Sequence, residues 1–413
     1  MSDLPHPLRA TIGGFLFLCL VQPALGQAAT PQEAVPLGED QLLDTRTAVV
    51  DLTNLTNLEA LIPRLAERRV VFVGEAHDRY EDHLNQLAII RGLHQRGADL
   101  AIGMEMFQQP FQAALDAYVA GEIDEGEMLR RTDYFERWRF DYRLYRPILR
   151  FAREHGIPVI ALNLELEITA KVGQGGLEAL SPEERARIPT EIDGSDPAYR
   201  QRVKAVFDLH PKGKQLEQKE GGEGQDPNPD QDFERFLAVQ LLWDEGMAER
   251  AARYLQDHPG KQLVILAGSG HLEYGQGIPS RLLRRIATST STPPSSAIVL
   301  NGGQRDLEPQ VADFLLYPRR IELAATGRLG VMLDTAAKGS GVAVQGFSDN
   351  SGASAAGMKE GDRIVRIGDQ AIDVYADIRL ALMDSRPGQK LPVAVERGES
   401  DVAERLTLEV ELH

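Results

Sequence analysis

Arg69-Val70-Val71-Phe72-Val73-Gly74-Glu75-Ala76-His77 decides how the chain is read. Val70 to Val73 form an unbroken apolar run, with no polar residue at alternate positions. That pattern predicts a strand buried on both faces, as in parallel sheets. Gly74 closes the run, and Glu75 and His77 follow at once. Residues 80–96 then place Leu84, Leu87, Ala88, Ile90 and Leu93 near helical spacing. The alternation recurs downstream. Leu100-Ala101-Ile102-Gly103-Met104 is a second strand, and 110–119 opens a helix. Residues 143–155 form another helix closed by Gly156, and Ile157-Pro158-Val159-Ile160-Ala161-Leu162 is a third strand. A long helix over 232–256 precedes a strand at 262–267, with a further strand at 297–300. Strands alternating with helices predict an α/β fold: a mainly parallel sheet with helices on both faces.

From about Gly327 the pattern changes. Val331, Val342, Val344, Ile364, Val365, Ile367, Val393 and Val395 lie in short β-type runs punctuated by glycine. They predict a small, separate β-rich domain. Residues 211–231 (PKGKQLEQKEGGEGQDPNPDQ) are almost devoid of apolar side chains and predict a disordered loop within the first domain.

The N-terminus reads as a targeting segment over 1–26. Arg9 is its one basic residue, and 11–21 is an apolar stretch too short to span a bilayer comfortably. Ala24-Leu25-Gly26 supplies small residues for cleavage before Gln27. The expectation is a Sec-type signal peptide and a periplasmic protein, with an uncleaved membrane anchor as the alternative. Residues 27–46 read as a flexible tether. The single cysteine, Cys19, lies in the apolar stretch, behind Leu18 rather than the small residue a lipoprotein signal requires. A cleaved chain would therefore hold no disulfide.

At 413 residues the chain has room for two or three domains, and its 42% hydrophobic content supports a large core. With 62 acidic against 45 basic residues, a net charge of −17 and no long Lys/Arg run, it is not expected to bind nucleic acid. One cysteine in the whole chain excludes a disulfide-stapled scaffold.

Three polar clusters follow predicted strands: Gly74-Glu75-Ala76-His77, Glu105 within Gly103-Met104-Glu105-Met106, and Gly268-Ser269-Gly270-His271. Ligands of open parallel sheets bind at the carboxyl ends of the strands. Two carboxylates and two imidazoles are thus expected on one edge. His with Glu suits a borderline divalent metal such as Zn²⁺, Mn²⁺ or Co²⁺, with His77, His271 and Glu105 as ligands. Glu75 or Glu105 would then be the general base of a hydrolase. Asp141, Asn163 and Asp244 are candidates to orient the imidazoles. A single histidine after a strand is more often a hydrogen-bonded structural residue. Repetition at several strand ends is what points to a site.

The segments Gly74-Glu75-Ala76-His77-Asp78, Gly103-Met104-Glu105-Met106-Phe107, 138–153 (WRFDYRLYRPILRFAR), 157–163 (IPVIALN) and 240–248 (QLLWDEGMA) resemble the ChaN-type haem-binding uptake proteins of the Tiki superfamily. The hallmark of that superfamily is two Gly-x-x-His motifs plus a glutamate, matched here by His77, His271 and Glu105. The resemblance covers about 47–300 and sets the first domain at 47–318. It implies an exported haem- or iron-binding protein, with haem packed between the subunits of a homodimer and a tyrosinate as axial ligand. Phenolate favours ferric iron. Tyr134, Tyr142, Tyr145, Tyr199 and Tyr254 are the candidates, and Tyr142 and Tyr145 join His77 and His271 in the expected cofactor site. Tiki and erythromycin-esterase-like members imply a rival reading, a metal-dependent hydrolase or protease using His77, His271 and Glu105. Whether the chain is an enzyme stays open here. An interaction scaffold with an inactive site is the third class.

Arg328-Leu329-Gly330-Val331-Met332, together with 351–365 (SGASAAGMKEGDRIV), resembles a bacterial PDZ domain of the HtrA type, over 326–413. The resemblance implies that Leu329, Gly330 and Val331 offer backbone N–H groups to a peptide's terminal carboxylate. The peptide would add as a strand beside a helix over 374–383. The expected partners are therefore haem or iron and a C-terminal peptide or protein. The alternative is a groove filled by the chain itself or by the first domain.

Overall fold

Val70, Val71, Phe72 and Val73 are fully buried in strand β1 (Val70–Glu75) of the computed structural model. Each such side chain stabilises by about 1.5–3 kcal/mol, against about 1–2 kcal/mol for fixing one residue's backbone. A run this apolar is therefore favourable only inside a sheet covered on both faces. The structure describes residues 53–209, 229–287, 294–302, 307–335, 337, 339–398 and 403–413. The expected signal peptide (1–26) with Cys19, the tether (27–46) and 211–228 of the expected loop lie outside the described residues.

β1 belongs to a six-stranded parallel sheet. The other strands are β2 (Leu100–Gln108), β3 (Val159–Asn163), β4 (Gln262–Gly268), β5 (Ser296–Asn301) and β6 (Phe314–Leu316). Their order is β3-β2-β4-β1-β5-β6, so β4 returns to insert between β2 and β1. Strands β1 to β4 are buried along their whole length. Helices Leu58–Ala66, Tyr80–Gln95, Gln112–Val119 and Arg146–Glu154 share one core with the sheet, where Ile62, Ile90, Leu115 and Leu149 meet Val71, Val73, Ile102 and Met104. The α/β architecture is as expected. The half-buried edge strand β6 was not anticipated.

Residues 166–243 form a compact unit of their own, with helices Leu166–Gly175 and Pro197–Leu209 and a cluster of Tyr199, Val203, Phe233, Leu237 and Leu241. Composition places 229–231 in the disordered loop, but they begin the helix Pro229–Asp257. Pro229 opens that helix with Asp230 and Asp232 in its first turn, both helix-start signals that composition alone overlooks.

The second sheet is antiparallel. Its strands are β7 (Val331–Asp334), β8 (Val342–Phe347), β9 (Arg363–Ile367), β10 (Gln370–Ala371), β11 (Lys390–Arg397) and β12 (Glu404–Glu411). The order is β12-β11-β9-β8-β7, with β10 paired to β9, so β7 lies at an edge. Leu329, Val344, Ile364, Ile378, Val393 and Val410 centre its core. This sheet has its own core, yet it shares a compact unit with the parallel sheet. Among the described residues, no helix is long and apolar enough to cross a membrane.

Candidate functional site

Strands β2, β4 and β1 are neighbours, and they end at one level. Glu75 stands in register with Gly268, and Met104 with Leu266. Pairing between β2 and β4 stops at Met104, and the register of β2 against β3 slips between Met104 and Gln108. Glu105 therefore stands just past the ladder. As expected from the strand ends, Glu75, His77, Glu105 and His271 come together.

Glu75 is the hub of the first half. Its Oε1 lies 2.5 Å from Nδ1 of His77, and its Oε2 makes an ion-pair contact of 2.6 Å with Nδ1 of His83. Burial alone would push the Glu75 carboxyl up, but the His83 charge and the hydrogen bonds from His77 and His83 outweigh it and hold it at about 2. Both imidazoles answer in kind. Burial favours their neutral forms, and the Glu75 carboxylate overrides it and raises both. His83 also lies 3.1 Å from Gln86 Oε1, and its Nε2 lies 3.2 Å from the His77 carbonyl. Acceptors thus face both of its nitrogens, as a cationic ring requires.

With Glu75 ionised, Nδ1 of His77 carries its hydrogen and Nε2 is the atom left for chemistry. The ring sits beside Trp138 at 4.8 Å and Phe140 at 4.9 Å between centroids. Arg139, between them, has a left-handed φ of 69°, uncommon for a non-glycine residue. That turn brings the aromatics on either side of it to the same histidine. Gly268 makes room for the ring: a Cβ there would lie 3.0 Å from His77 Cε1.

The second half mirrors the first. His271 Nδ1 lies 2.6 Å from Asp244 Oδ1, and its Nε2 lies 3.5 Å from Glu105 Oε1. Glu105 Oε2 accepts the backbone N–H of Gly268 at 2.7 Å. Asp244, on the helix Pro229–Asp257, orients an imidazole as expected. Asp141 does not, because it pairs with Arg143. Asn163 donates to the Glu105 carbonyl at 3.2 Å and so braces that strand end instead.

The tyrosines expected in the cofactor site lie deep in the fold. Tyr142 and Tyr145 are fully buried in the core. Tyr145 OH accepts from Trp138 Nε1 at 3.2 Å and lies 3.4 Å from Glu75 Oε1, while Tyr142 OH donates to Glu125 at 3.1 Å. Burial, reinforced by Glu75 at Tyr145 and Glu125 at Tyr142, pushes both phenols well above their usual range. Phenolate is the form that binds ferric iron, and here both hydroxyls are held in hydrogen bonds within the fold. Tyr134 and Tyr199 are buried as well. The divalent-metal reading gains no support. Among the described residues, no group of three or more His, Cys, Asp or Glu side chains is arranged to hold a metal ion. Carboxylates take Nδ1 of both His77 and His271 and leave Nε2 of each for a ligand, while Gly268 takes one oxygen of Glu105.

In the second sheet, Leu329, Gly330 and Val331 form the turn that leads into β7. Leu329 is buried, and its carbonyl accepts from Ala353 N. Gly330 has φ 76°, and a Cβ there would lie 2.5 Å from His413 Cε1 and 2.7 Å from Ser351 Cα. Helix Tyr375–Leu382 occurs where the resemblance requires one.

A family model described as haem-binding uptake, Tiki superfamily, ChaN, matches residues 61–282, more than half of the chain. The chain belongs to this family. A PDZ-domain model matches 327–412, so the ChaN-type domain is followed by a PDZ domain. RETICULATA-RELATED 5, chloroplastic, of Arabidopsis thaliana is 27% identical over 272 residues, covering 62% of this chain. The match takes in 34% of that protein, so the chain spans about a third of this curated relative's length. Among solved structures, ChaN of Campylobacter jejuni with cofacial haem aligns over 64% of this chain and 92% of its own, at 15% identity and a TM-score of 0.48. The HtrA3 PDZ domain bound to the phage-derived ligand FGRWV aligns over 21% of this chain and 85% of its own, at 20% identity and a TM-score of 0.18.

His83 is a site residue that no motif marked, whereas Trp138 and Phe140 lie in the segment 138–153 that carries the family resemblance, without having been singled out there. His83 carried one signal: with Gln86, three positions on, it belongs to a polar helix start directly after Gly74-Glu75-Ala76-His77.

Proposed function

We propose that this member of the ChaN family is an exported haem-binding protein in which His77 or His271 supplies the axial nitrogen, and that its PDZ domain recruits the C-terminal end of a peptide or protein partner. One observation carries the reading: each imidazole has its Nδ1 tied to a carboxylate, His77 to Glu75 at 2.5 Å and His271 to Asp244 at 2.6 Å. A histidine held this way has a fixed ring, a fixed tautomer and a more basic Nε2, the features of a haem-ligating imidazole. Haem, when bound, supplies an iron that takes such a nitrogen and a broad apolar face. Trp138 and Phe140 give the His77 side an apolar flank that keeps water from the nitrogen. The apolar stretch at 11–21 followed by Ala24-Leu25-Gly26 supports export to the periplasm.

Haem titration of the chain lacking residues 1–26, followed by absorbance, tests the assignment. A saturable Soret band that is lost in His77→Ala or His271→Ala, and kept in Tyr142→Phe and Tyr145→Phe, supports it. A band lost with a tyrosine and kept in both histidine variants overturns the histidine ligand. No saturable band overturns haem as the cargo.

A further inference from the structure

The wall of the PDZ groove and the wall of the histidine site are joined. β7 is an edge strand, and a peptide adding to it would run beside helix Tyr375–Leu382. That helix has two occupied faces. Ile378 belongs to the PDZ core, whereas Tyr375, Ala376 and Leu380, with Met383 just beyond, pack against the core of the ChaN-type domain.

Polar contacts frame the second face. Asp377 Oδ1 accepts from Arg130 Nε at 2.8 Å, while its Oδ2 accepts the backbone N–H groups of Asp373 at 3.0 Å and Val374 at 3.1 Å. The side chain that caps the groove helix is therefore the one gripped by the other domain. The Asp377 side chain is only 8% exposed, while Arg130 is 38% exposed. Asp384, just past the helix, accepts from Arg146 at 2.5 and 3.0 Å. Arg379 stands 5.1 Å over the Phe135 ring.

The segment that receives these contacts also lines His77. Arg146 donates to Glu125, which accepts the Tyr142 hydroxyl. Phe135 packs on Tyr134 at 5.6 Å, and Tyr134 on Tyr142 at 5.5 Å. Trp138 and Phe140 flank His77, and Tyr145 underlies Glu75.

We propose that occupancy of the PDZ groove by a peptide with a free C-terminal carboxylate is coupled to ligand occupancy of the histidine site, through residues 125–146. A peptide that displaces helix Tyr375–Leu382 alters its contacts with Arg130, Phe135 and Arg146, and with them the seating of Trp138 and Phe140 on His77. The inference rests on the haem reading above. Coupling of this kind is reciprocal: each ligand changes the other's affinity by the same factor.

The test uses the full chain lacking residues 1–26, haem, and fluorescein-labelled FGRWV with its C-terminal amide as control. Where FGRWV is not retained, the strongest peptide from a phage-displayed library with free carboxyl ends replaces it. Haem is expected to change the peptide Kd about five-fold or more, with the same factor in reverse. Both effects should vanish in Arg130→Ala and in Asp384→Ala, the latter an exposed side chain outside the helix that folding tolerates. Equal peptide affinity with and without haem overturns the proposal, as does coupling that survives in both variants. Peptide acid and amide binding alike also overturn it, and leave the haem reading to its own Soret titration. If no Soret band forms, amide exchange over 134–145 decides the matter, and protection unmoved by peptide sinks the inference.

Discussion

Nε2 of His271 lies 3.5 Å from one oxygen of Glu105, while the other oxygen takes the Gly268 N–H at 2.7 Å. The carboxylate that faces the imidazole is thus held by the backbone of the neighbouring strand end. Removing it should cost stability as well as function. In Glu105→Ala the buried Gly268 N–H loses its acceptor, an expected loss of about 1–3 kcal/mol, whereas Glu105→Gln retains an acceptor and should lose under about 1 kcal/mol. Urea denaturation of the two variants at one pH separates these outcomes.

Glu75 sets an acid limb of stability. Its folded value of about 2 lies below the ordinary 4.5, so its contribution is present above pH 4.5 and is lost as pH falls toward 2. The expected size is on the order of 3 kcal/mol. Glu75→Gln should flatten that limb, and chemical denaturation of both proteins between pH 2 and 5 reads the difference. Asp82 acts in the opposite sense. Burial lifts it from 3.8 to about 6, so its contribution is present below pH 3.8 and is lost as pH rises to 6. Asp82→Asn should remove that second slope alone.

Tyr145→Phe separates a structural tyrosine from a ligating one. Loss of the hydroxyl leaves Trp138 Nε1 without its acceptor and removes one of the groups around Glu75, which keeps His77 and His83, for about 1–2 kcal/mol. The melting temperature should fall while the Soret maximum stays in place. A displaced maximum in an intact fold would restore the tyrosinate ligand.

Gly330, in the turn that leads into β7, admits no side chain. Gly330→Ala forces a Cβ at φ 76° into the His413 ring and the Ser351 backbone. The expected cost is about 1–3 kcal/mol, with loss of peptide binding. Fluorescence anisotropy with a labelled peptide checks the binding, and calorimetry checks the fold.

The parallel strands were legible because strands buried on both faces spell themselves as unbroken apolar runs, as in Val70 to Val73. Glu75, His77, Glu105 and His271 were legible for a related reason: the ends of such strands share one edge. His83 was not. The first turns of helix Tyr80–Gln95 hold Glu81, Asp82, His83 and Gln86, all buried, yet a polar helix start reads as a solvent-facing one. The depth of Tyr142 and Tyr145 was not legible either. An aromatic side chain with one hydroxyl reads equally as core or ligand until its depth is known. The docking of Asp377 on Arg130 and of Asp384 on Arg146 joins positions far apart in sequence, with no local pattern to announce it.

The slipped register of β2 carries a consequence for how Glu105 is held. Pairing with β4 ends at Met104, and against β3 it resumes only at Gln108. Positions 105 to 107 are thereby released from the alignment that holds the strands together. What fixes the Glu105 carboxylate is therefore its own pair of anchors, the Gly268 N–H at its side chain and the Asn163 amide at its carbonyl, rather than the ladder of the sheet.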